Sequence, residues 1–448
     1  MIIQPAKNIC GTINLPGDKS ISHRAAMFSA LANGETLIEN FSSSADCTST
    51  LACLEKLGVE INRQGSAVHI KGVGKTGFHP PSAPLNCGNS GTTVRLISGI
   101  LAGQKFTSVL TGDESLSKRP MKRIIEPLQQ MGAKIESNEN CLPLTIHGQN
   151  PLRAITYQLP MASAQVKSCV LLAGLNADGE TKVKDQKTKT AVSTIRDHTE
   201  LMLRWLGVEV REEFIETDGE FVLETSVKGD AVLTARDIFV PSDISSAAFF
   251  LVAAACLPGS DLTLQNVGLN PTRTAIVEVL RGFGAQIEIF NQRTVNNEPI
   301  GDLQVVGREN LSGGAANILR GEMIAGLIDE LPVLAVFGTQ LENGLEIRDA
   351  AELRVKESDR ISTVVENLRR IGAGVEECPD GLKVYKSALY GAEVESYGDH
   401  RIAMAFAIAG LLAKSKINIS GAEAVAVSFP EFFSTLNSIK KQDKIIHR

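Results

Sequence analysis

Leu57-Gly58-Val59-Glu60-Ile61 recurs as Met131-Gly132-Ala133-Lys134-Ile135, Leu206-Gly207-Val208-Glu209-Val210, Phe283-Gly284-Ala285-Gln286-Ile287 and Ile371-Gly372-Ala373-Gly374-Val375. Each copy closes an amphipathic run on a glycine and passes into a β-branched, alternating stretch. That is the pattern of a helix C-terminus feeding a strand. The copies lie roughly 75 to 90 residues apart, longer than solenoid repeats, so each belongs to a sizeable βαβ-type element.

Before each closing helix lies another with small polar residues at its start. These starts fall at Ser20, Gly91-Thr92-Thr93, Ser163-Ala164-Gln165, Asp243-Ile244-Ser245-Ser246, Asp329-Glu330 and Asp399-His400-Arg401. Six starts and five endings imply six copies, the last truncated at the C-terminus. A chain of 448 residues is too long for one ordinary core, and six units divide naturally into two domains of three. The midpoint falls near Val240-Pro241-Ser242-Asp243, a plausible crossing. Glu212 to Lys228 and Asn291 to Asn310 are acidic or turn-rich and are expected to be surface excursions. Pro127 is awkward inside a helix drawn from Pro120 to Met131, which must be kinked there or start later.

Composition narrows the function. Lys and Arg total 45 against 51 Asp and Glu, a formal net charge of −6, which weighs against a nucleic-acid partner. One Trp and four Tyr leave little material for stacking bases. Eight cysteines are scattered without a Cys-x-x-Cys pair, which reads as reduced thiols in a cytoplasmic protein rather than a structural zinc site. The N-terminus shows no signal-peptide pattern, and apolar runs such as Ala247 to Leu257 are too short to span a bilayer, so no membrane partner is expected.

Chemistry concentrates at the helix starts. In Leu15-Pro16-Gly17-Asp18-Lys19-Ser20-Ile21-Ser22-His23-Arg24, the Pro-Gly pair signals a turn and Ser20 a helix N-cap. Ile21, Ala25, Phe28 and Leu31 share one face, and Gly34 marks the stop. Lys19 and Arg24 therefore stand at the end of a helix where cations are not stabilised by the macrodipole. Their placement makes sense if an anion binds among them and the free backbone N–H groups.

The same arrangement returns in Cys87-Gly88-Asn89-Ser90-Gly91-Thr92-Thr93-Val94-Arg95, where two glycines let the backbone approach an anion. It is not a P-loop, because no Gly-Lys-Ser/Thr ends it. Lys118-Arg119-Pro120 places a cation pair before another helix, with Pro120 expected at its first position. Thr194-Ile195-Arg196-Asp197-His198 and Ser163-Ala164-Gln165-Val166-Lys167 combine hydroxyls, an amide and an arginine, a set suited to phosphate. Arg354-Val355-Lys356-Glu357-Ser358-Asp359-Arg360 is the densest cluster and reads equally as a helix laced with salt links. Lys19, Arg24, Arg95, Arg119, Arg196, Lys356, Arg360 and Arg401 supply cations, with Asp329 and Glu357 as proton carriers. Such a set suits transfer chemistry on phosphorylated and carboxylated small molecules. No Gly-x-Ser-x-Gly elbow points to a serine hydrolase.

On Leu15 to Arg24, Gly88 to Arg95, Gly112 to Pro120, Ser163 to Gln165, Arg354 to Arg360 and Asp399 to Arg401, the chain resembles the 5-enolpyruvylshikimate-3-phosphate synthases over nearly its whole length. The resemblance implies the enolpyruvyl transferase fold, an inside-out α/β barrel of two domains with three βαβαββ units each, closing over a site in the cleft between them. The division drawn is 18–240 against 1–17 plus 241–448. It implies the joining of shikimate 3-phosphate and phosphoenolpyruvate without metal or organic cofactor. The 5-hydroxyl attacks C2 of the enol, C3 is protonated, and the tetrahedral intermediate loses phosphate.

By the same resemblance, Lys19, Ser20, Arg24, Ser163, Ala164, Gln165, Asp329 and Lys356 should hold shikimate 3-phosphate. Lys19, Asn89, Gly91, Arg119, Gln165, Arg360 and Arg401 should hold phosphoenolpyruvate. Asp329 should accept the 5-hydroxyl proton, Glu357 should handle protons at the enol carbon, and Lys19 should touch both substrates. Glyphosate should occupy the phosphoenolpyruvate pocket. Two positions depart from the pattern: Ser428 precedes Phe429-Pro430 where some members have Lys, and Ala164 stands where others have Ser. Arg196 is the residue expected to compensate at the shikimate phosphate. The alternatives are the UDP-N-acetylglucosamine enolpyruvyl transferases, which usually carry a reactive Cys in a loop where Asp113 to Pro120 has none, and a non-enzymatic polyanion-binding protein. A monomer is expected.

Overall fold

The computed structural model describes residues 1–188, 195–217, 219–309, 311 and 317–440. Gly58, Gly132, Gly207, Gly284 and Gly372 all take positive φ, between 85° and 106°, at helix C-termini. Each N–H reaches back three residues and the following N–H reaches back five, as in Gly58 to Glu55 with Val59 to Leu54, and Gly372 to Arg369 with Ala373 to Leu368. Any side chain would be strained at that φ, so glycine is repeated where the chain must reverse out of the helix.

The strands form five four-stranded sheets, one three-stranded sheet and one two-stranded pair among the described residues. The plan is clearest where Leu85–Asn86 runs parallel to Thr107–Thr111, followed antiparallel by Cys141–His147 and then Lys134–Asn138. Thr156–Gln158, Glu180–Lys184, Glu220–Lys228 and Arg211–Thr217 repeat it. Most of Glu212 to Lys228 therefore lies in the paired strands Arg211–Thr217 and Glu220–Lys228 and is not a loose surface excursion, with Asp218 outside the described residues. Most of Asn291 to Asn310 likewise lies in the paired strands Gln286–Val295 and Glu298–Val306, with Asn310 outside the described residues. In both hairpins one strand is largely exposed, and its charges and amides hide the alternation that would have announced it.

Three sheets take a strand from a distant part of the chain. Ile238–Phe239 lies parallel to Asn33–Glu39, and Cys10–Asn14 lies parallel to Asp261–Gly268. Ile2–Ile3 pairs with Ile417–Ser420, so the N-terminus completes the sheet of the sixth copy.

The chain forms two compact units. One comprises Met1–Pro16, Ser242–Arg293 and Pro299–Arg448; the other comprises Gly17–Pro241 with Thr294–Glu298. The hairpin tip 294–298 has no counterpart in the division drawn from sequence. It is held by Asn296 Nδ2 donating to Phe239 O at 2.7 Å, Asn297 Nδ2 donating to Leu201 O at 3.2 Å, and Glu298 against His198 at 2.7 Å.

Each unit has its own apolar core around three central helices. In the N-terminal unit these are Lys19–Leu31, Gly91–Ala102 and Ala164–Gly174; in the C-terminal unit Ile244–Cys256, Leu331–Gly338 and His400–Leu412. They are buried on nearly every face past their first turn, which matches their apolar composition. Gly99 is required where the second and third helices of the N-terminal unit meet, since a Cβ there would lie 2.3 Å from Cys169 O.

The first helix begins two residues earlier than its expected cap implies. Asp18, not Ser20, is its N-cap, accepting from Ile21 N at 2.8 Å, and Lys19 is its first residue. It ends at Leu31, and Gly34 lies in the strand that follows. The helix containing Pro127 spans Lys122–Gln130 with Met121 at its cap, so Pro120 precedes it and does not open it.

Candidate active-site clusters

In the N-terminal unit the three central helices present their first turns with side-chain N-caps at Asp18, Ser90 and Ser163. Lys19 Nζ sits 2.9 Å from Asp46 on the neighbouring helix, which holds the ammonium in place. Arg24 is almost fully buried. Its Nε donates to Thr199 Oγ1 at 2.7 Å, Nη1 to the carbonyl of Ser20 at 2.9 Å, and Nη2 to Ser168 Oγ at 2.8 Å. Burial pulls the guanidinium down to about 10, opposed by Glu200 and Asp18 and reinforced by the like charge of Arg196. It remains a cation at neutral pH, and Arg196 stands near enough to be felt.

Two hydrogen-bonded groups, Arg95 with Gln165 and Arg119 with Asn89, flank Gly91. Arg95 Nη1 donates to Gln165 Oε1 at 2.8 Å, and Gln165 Nε2 donates to Thr92 Oγ1 at 3.0 Å. Arg119 Nη2 donates to Asn89 Oδ1 at 2.8 Å, while Asn89 Nδ2 donates to Asp113 Oδ2 at 2.7 Å. Gly91 has no Cβ where both guanidinium groups approach, at 2.6 Å for Arg95 Nη1 and 3.5 Å for Arg119 Nη1. Ser163 caps its helix, with Ala164 first in that helix, so that Gln165 is aimed back toward Thr92. Lys118 is part of neither group: it pairs with Glu114 on the surface. Thr194 lies outside the described residues.

In the C-terminal unit, Arg360 is the hub. Fully buried, it donates from Nε to Asp399 Oδ2 at 2.8 Å and from Nη2 to Glu357 Oε2 at 2.6 Å, and its Nη1 lies 3.6 Å from Asp329 Oδ1. Burial opposes its charge, but Asp399, Glu357 and Asp329 outweigh burial and raise its pKa above the ordinary value. The Asp399 carboxyl is pushed up by burial and pulled further down by Arg360, ending below its ordinary range. Asp329 also faces Arg401, whose Nε is 3.6 Å from its Oδ1 and whose Nη1 donates to its carbonyl at 2.8 Å. Lys356 does not join this cluster; it pairs with Glu352 at 2.9 Å.

The salt-linked helix reading of Arg354 to Arg360 is partly right. Glu357 and Arg360 do pair at i,i+3, but Ala351–Val355 is a 3₁₀ turn, Lys356 is extended, and the α-helix starts only at Arg360. That break in the backbone frees Glu357 to face Arg360 and Asp399 together. The partners Asp46, Asp113, Ser168 and Thr199 were not singled out from sequence. Asp46, Ser168 and Thr199 are small polar residues within helices and Asp113 caps the short helix Glu114–Ser117, signals that by themselves do not separate a site from a satisfied core.

The model of the family described as EPSP synthase (3-phosphoshikimate 1-carboxyvinyltransferase) matches residues 3–436. A 3-phosphoshikimate 1-carboxyvinyltransferase of Solibacter usitatus is 52% identical over 439 residues, covering 98% of this chain and 99% of the relative. One of Pelotomaculum thermopropionicum is 52% identical over 440 residues, covering 97% of each. The solved EPSP synthase of Acinetobacter baumannii superposes with a TM-score of 0.85 at 42% identity, over 98% of this chain and 97% of that one. With matches of this extent, the chain belongs to the EPSP synthase family and transfers the enolpyruvyl group of phosphoenolpyruvate to shikimate 3-phosphate in the shikimate pathway.

Proposed function

We propose the following division of labour for that reaction. Asp329 takes the proton of the attacking 5-hydroxyl as its oxygen bonds to C2 of phosphoenolpyruvate. Glu357 delivers a proton to C3, giving the tetrahedral intermediate. In the second step the bond from C2 to the phosphate oxygen breaks, Glu357 recovers the C3 proton, and Asp329 passes the hydroxyl proton to the leaving phosphate, so that the enol ether and phosphate are released and both carboxyl groups return to their starting states. The observation that carries this reading is the shared guanidinium: Arg360 pairs with Glu357 at 2.6 Å and stands 3.6 Å from Asp329. Two carboxylates are thereby oriented by a rigid cation, the preorganisation that acid–base transfer needs.

Lys19, Ser20, Arg24, Ser163, Ala164, Gln165 and Arg196 are the residues proposed for shikimate 3-phosphate, with Lys356 on the other unit. Helix N-termini supply backbone N–H groups for the phosphate, and Arg24 sets the local charge from behind. Asn89, Gly91, Arg119, Gln165, Arg360 and Arg401 are proposed for phosphoenolpyruvate, with Lys19 neutralising charge on both substrates. The same reading makes the protein a cytoplasmic monomer without nucleic-acid or membrane partners. It is supported by the net charge of −6 and eight free cysteines, and no helix among the described residues is long and apolar enough to cross a membrane.

Phosphate release with shikimate 3-phosphate and phosphoenolpyruvate tests the roles. Lys19→Met should lower kcat/KM by about 10²-fold or more. It also leaves Asp46 without its cation, so the melting temperature should fall somewhat, and rates must be compared well below it. Activity within about fivefold of wild type would remove Lys19 from the mechanism.

A further inference from the structure

Five of the six central-helix starts carry residues assigned above. The sixth, Asp243-Ile244-Ser245, carries none, yet the structure ties it to the other two starts of its unit. Ser245 Oγ accepts from Arg273 Nη2 at 2.8 Å and donates to Glu330 Oε1. Glu330 Oε1 lies 4.0 Å from Arg401 Nη1, and that same nitrogen donates to the carbonyl of Asp329. Asp243 caps the helix through Ser245 N and stands 3.6 Å from Arg273. Ser245, Arg273 and Glu330 are each no more than 3% exposed.

A buried carboxylate and guanidinium bridged by one hydroxyl cost more to bury than an apolar group of similar size. They are retained where they set a geometry, and here the chain of contacts ends on Arg401. Arg273 occupies Ser245 Oγ as an acceptor, so the hydroxyl proton can only be directed to Glu330. Glu330 is thereby fixed in position, next to Asp329 in the chain and beside Arg401 in space.

We propose that Glu330, held by Ser245 and Arg273, is a positioning residue for Arg401, fixing the guanidinium that takes phosphoenolpyruvate. This rests on the assignment of Arg401 made above. Glu330 is too buried to touch substrate and acts only through Arg401.

The test is steady-state kinetics on Glu330→Gln, Ser245→Ala, Arg401→Lys and the Glu330→Gln/Arg401→Lys double variant, with melting curves for each. Glu330→Gln should raise KM for phosphoenolpyruvate about tenfold while KM for shikimate 3-phosphate stays within about twofold. Ser245→Ala should shift the same constant in the same direction by less. In the Arg401→Lys background, Glu330→Gln should add less than about twofold, because its effect has nothing left to act through. Equal rises in both KM values, or an undiminished effect in that background, would overturn the proposal even if Glu330→Gln melts early. If Arg401→Lys alone leaves KM for phosphoenolpyruvate unchanged in an active enzyme, the assignment of Arg401 fails and takes the proposal with it.

Discussion

Gly91 shows how one atom decides where two guanidinium groups can lie. A methyl there would stand 2.6 Å from Arg95 Nη1, a contact no real Cβ tolerates, so Arg95 has to move. Arg95 is not free to do so without loss, since Nη1 also donates to Gln165 at 2.8 Å. Gly91→Ala should therefore disturb the Arg95–Gln165 pair as well as crowd the phosphoenolpyruvate site proposed there. Overpacking of this kind costs roughly 1–3 kcal/mol, or about five- to 150-fold in affinity. If glyphosate shares the phosphoenolpyruvate site proposed at Gly91, its inhibition constant should rise by more than KM for phosphoenolpyruvate, because it is the longer molecule. Equal shifts in both constants would mean that the displaced Arg95, common to both ligands, accounts for the whole effect. At this scale the sequence was informative about cations and poor about their partners. Lys19, Arg119 and Arg360 stand out because they crowd helix starts. Asp46 for Lys19, Thr199 for Arg24 and Asp399 for Arg360 come from far along the chain, and nothing local in the sequence pairs them.

Helix ends were legible where the determinant is local. Five glycine turns were read correctly because positive φ demands glycine within one helical turn of the pattern. The start of the first helix was misplaced because Asp18 and Ser20 are both good caps, and only the observed bond from Ile21 N decides between them. Between elements, His23 couples three helices through a chain of hydroxyls. Its Nδ1 meets Thr50 Oγ1 at 2.7 Å, Thr50 meets Thr93 Oγ1 at 2.7 Å, and Thr93 donates to the cap Ser90 at 2.7 Å. If Thr93 gives its proton to Ser90, Thr50 must give its own to Thr93, so Nδ1 of His23 is the donor and Nε2 is unprotonated. Nε2 is buried and makes no hydrogen bond among the described residues. Burial, then Lys19 and Arg24, lower the pKa of His23 well below 6.5. A histidine with a lowered folded pKa binds its proton in the unfolded chain first, so its contribution to stability falls as pH drops below about 6.5. Against His23→Asn, whose amide can still donate to Thr50, the wild type should lose about 1.4 kcal/mol more per pH unit on the acid side. Denaturant unfolding between pH 7 and 5 measures it. Parallel slopes for the two proteins would show that His23 titrates normally.

The sixfold repetition was legible across the whole chain, but the borrowed strands were not. Ile2–Ile3 and Ile238–Phe239 are two residues each, too short for any periodicity to register, and their partners Ile417–Ser420 and Asn33–Glu39 lie far away in sequence. The hairpin tip 294–298 was missed for a related reason, because its membership is decided by Asn297, Asn296 and Glu298 meeting residues about a hundred or fewer positions earlier. The division has a consequence that can be measured. Residues 17–241 run as one uninterrupted stretch, carry their own core and three central helices, and need only those five residues from elsewhere. Expressed alone, this stretch should fold. It should be less stable than a version in which the tip is supplied, by about 1–3 kcal/mol, because His198 is buried and loses Glu298. On the proposed roles it should still bind shikimate 3-phosphate, through Lys19, Ser20, Arg24, Ser163 and Gln165, with weaker affinity than the full chain. It should show no turnover, because Asp329 and Glu357 are absent. Amide dispersion in a proton–nitrogen correlation spectrum checks the fold and calorimetric titration checks the ligand. A dispersed spectrum without any heat on adding shikimate 3-phosphate would move the principal phosphate contacts out of this stretch and onto residues of the other unit, Lys356 first among them.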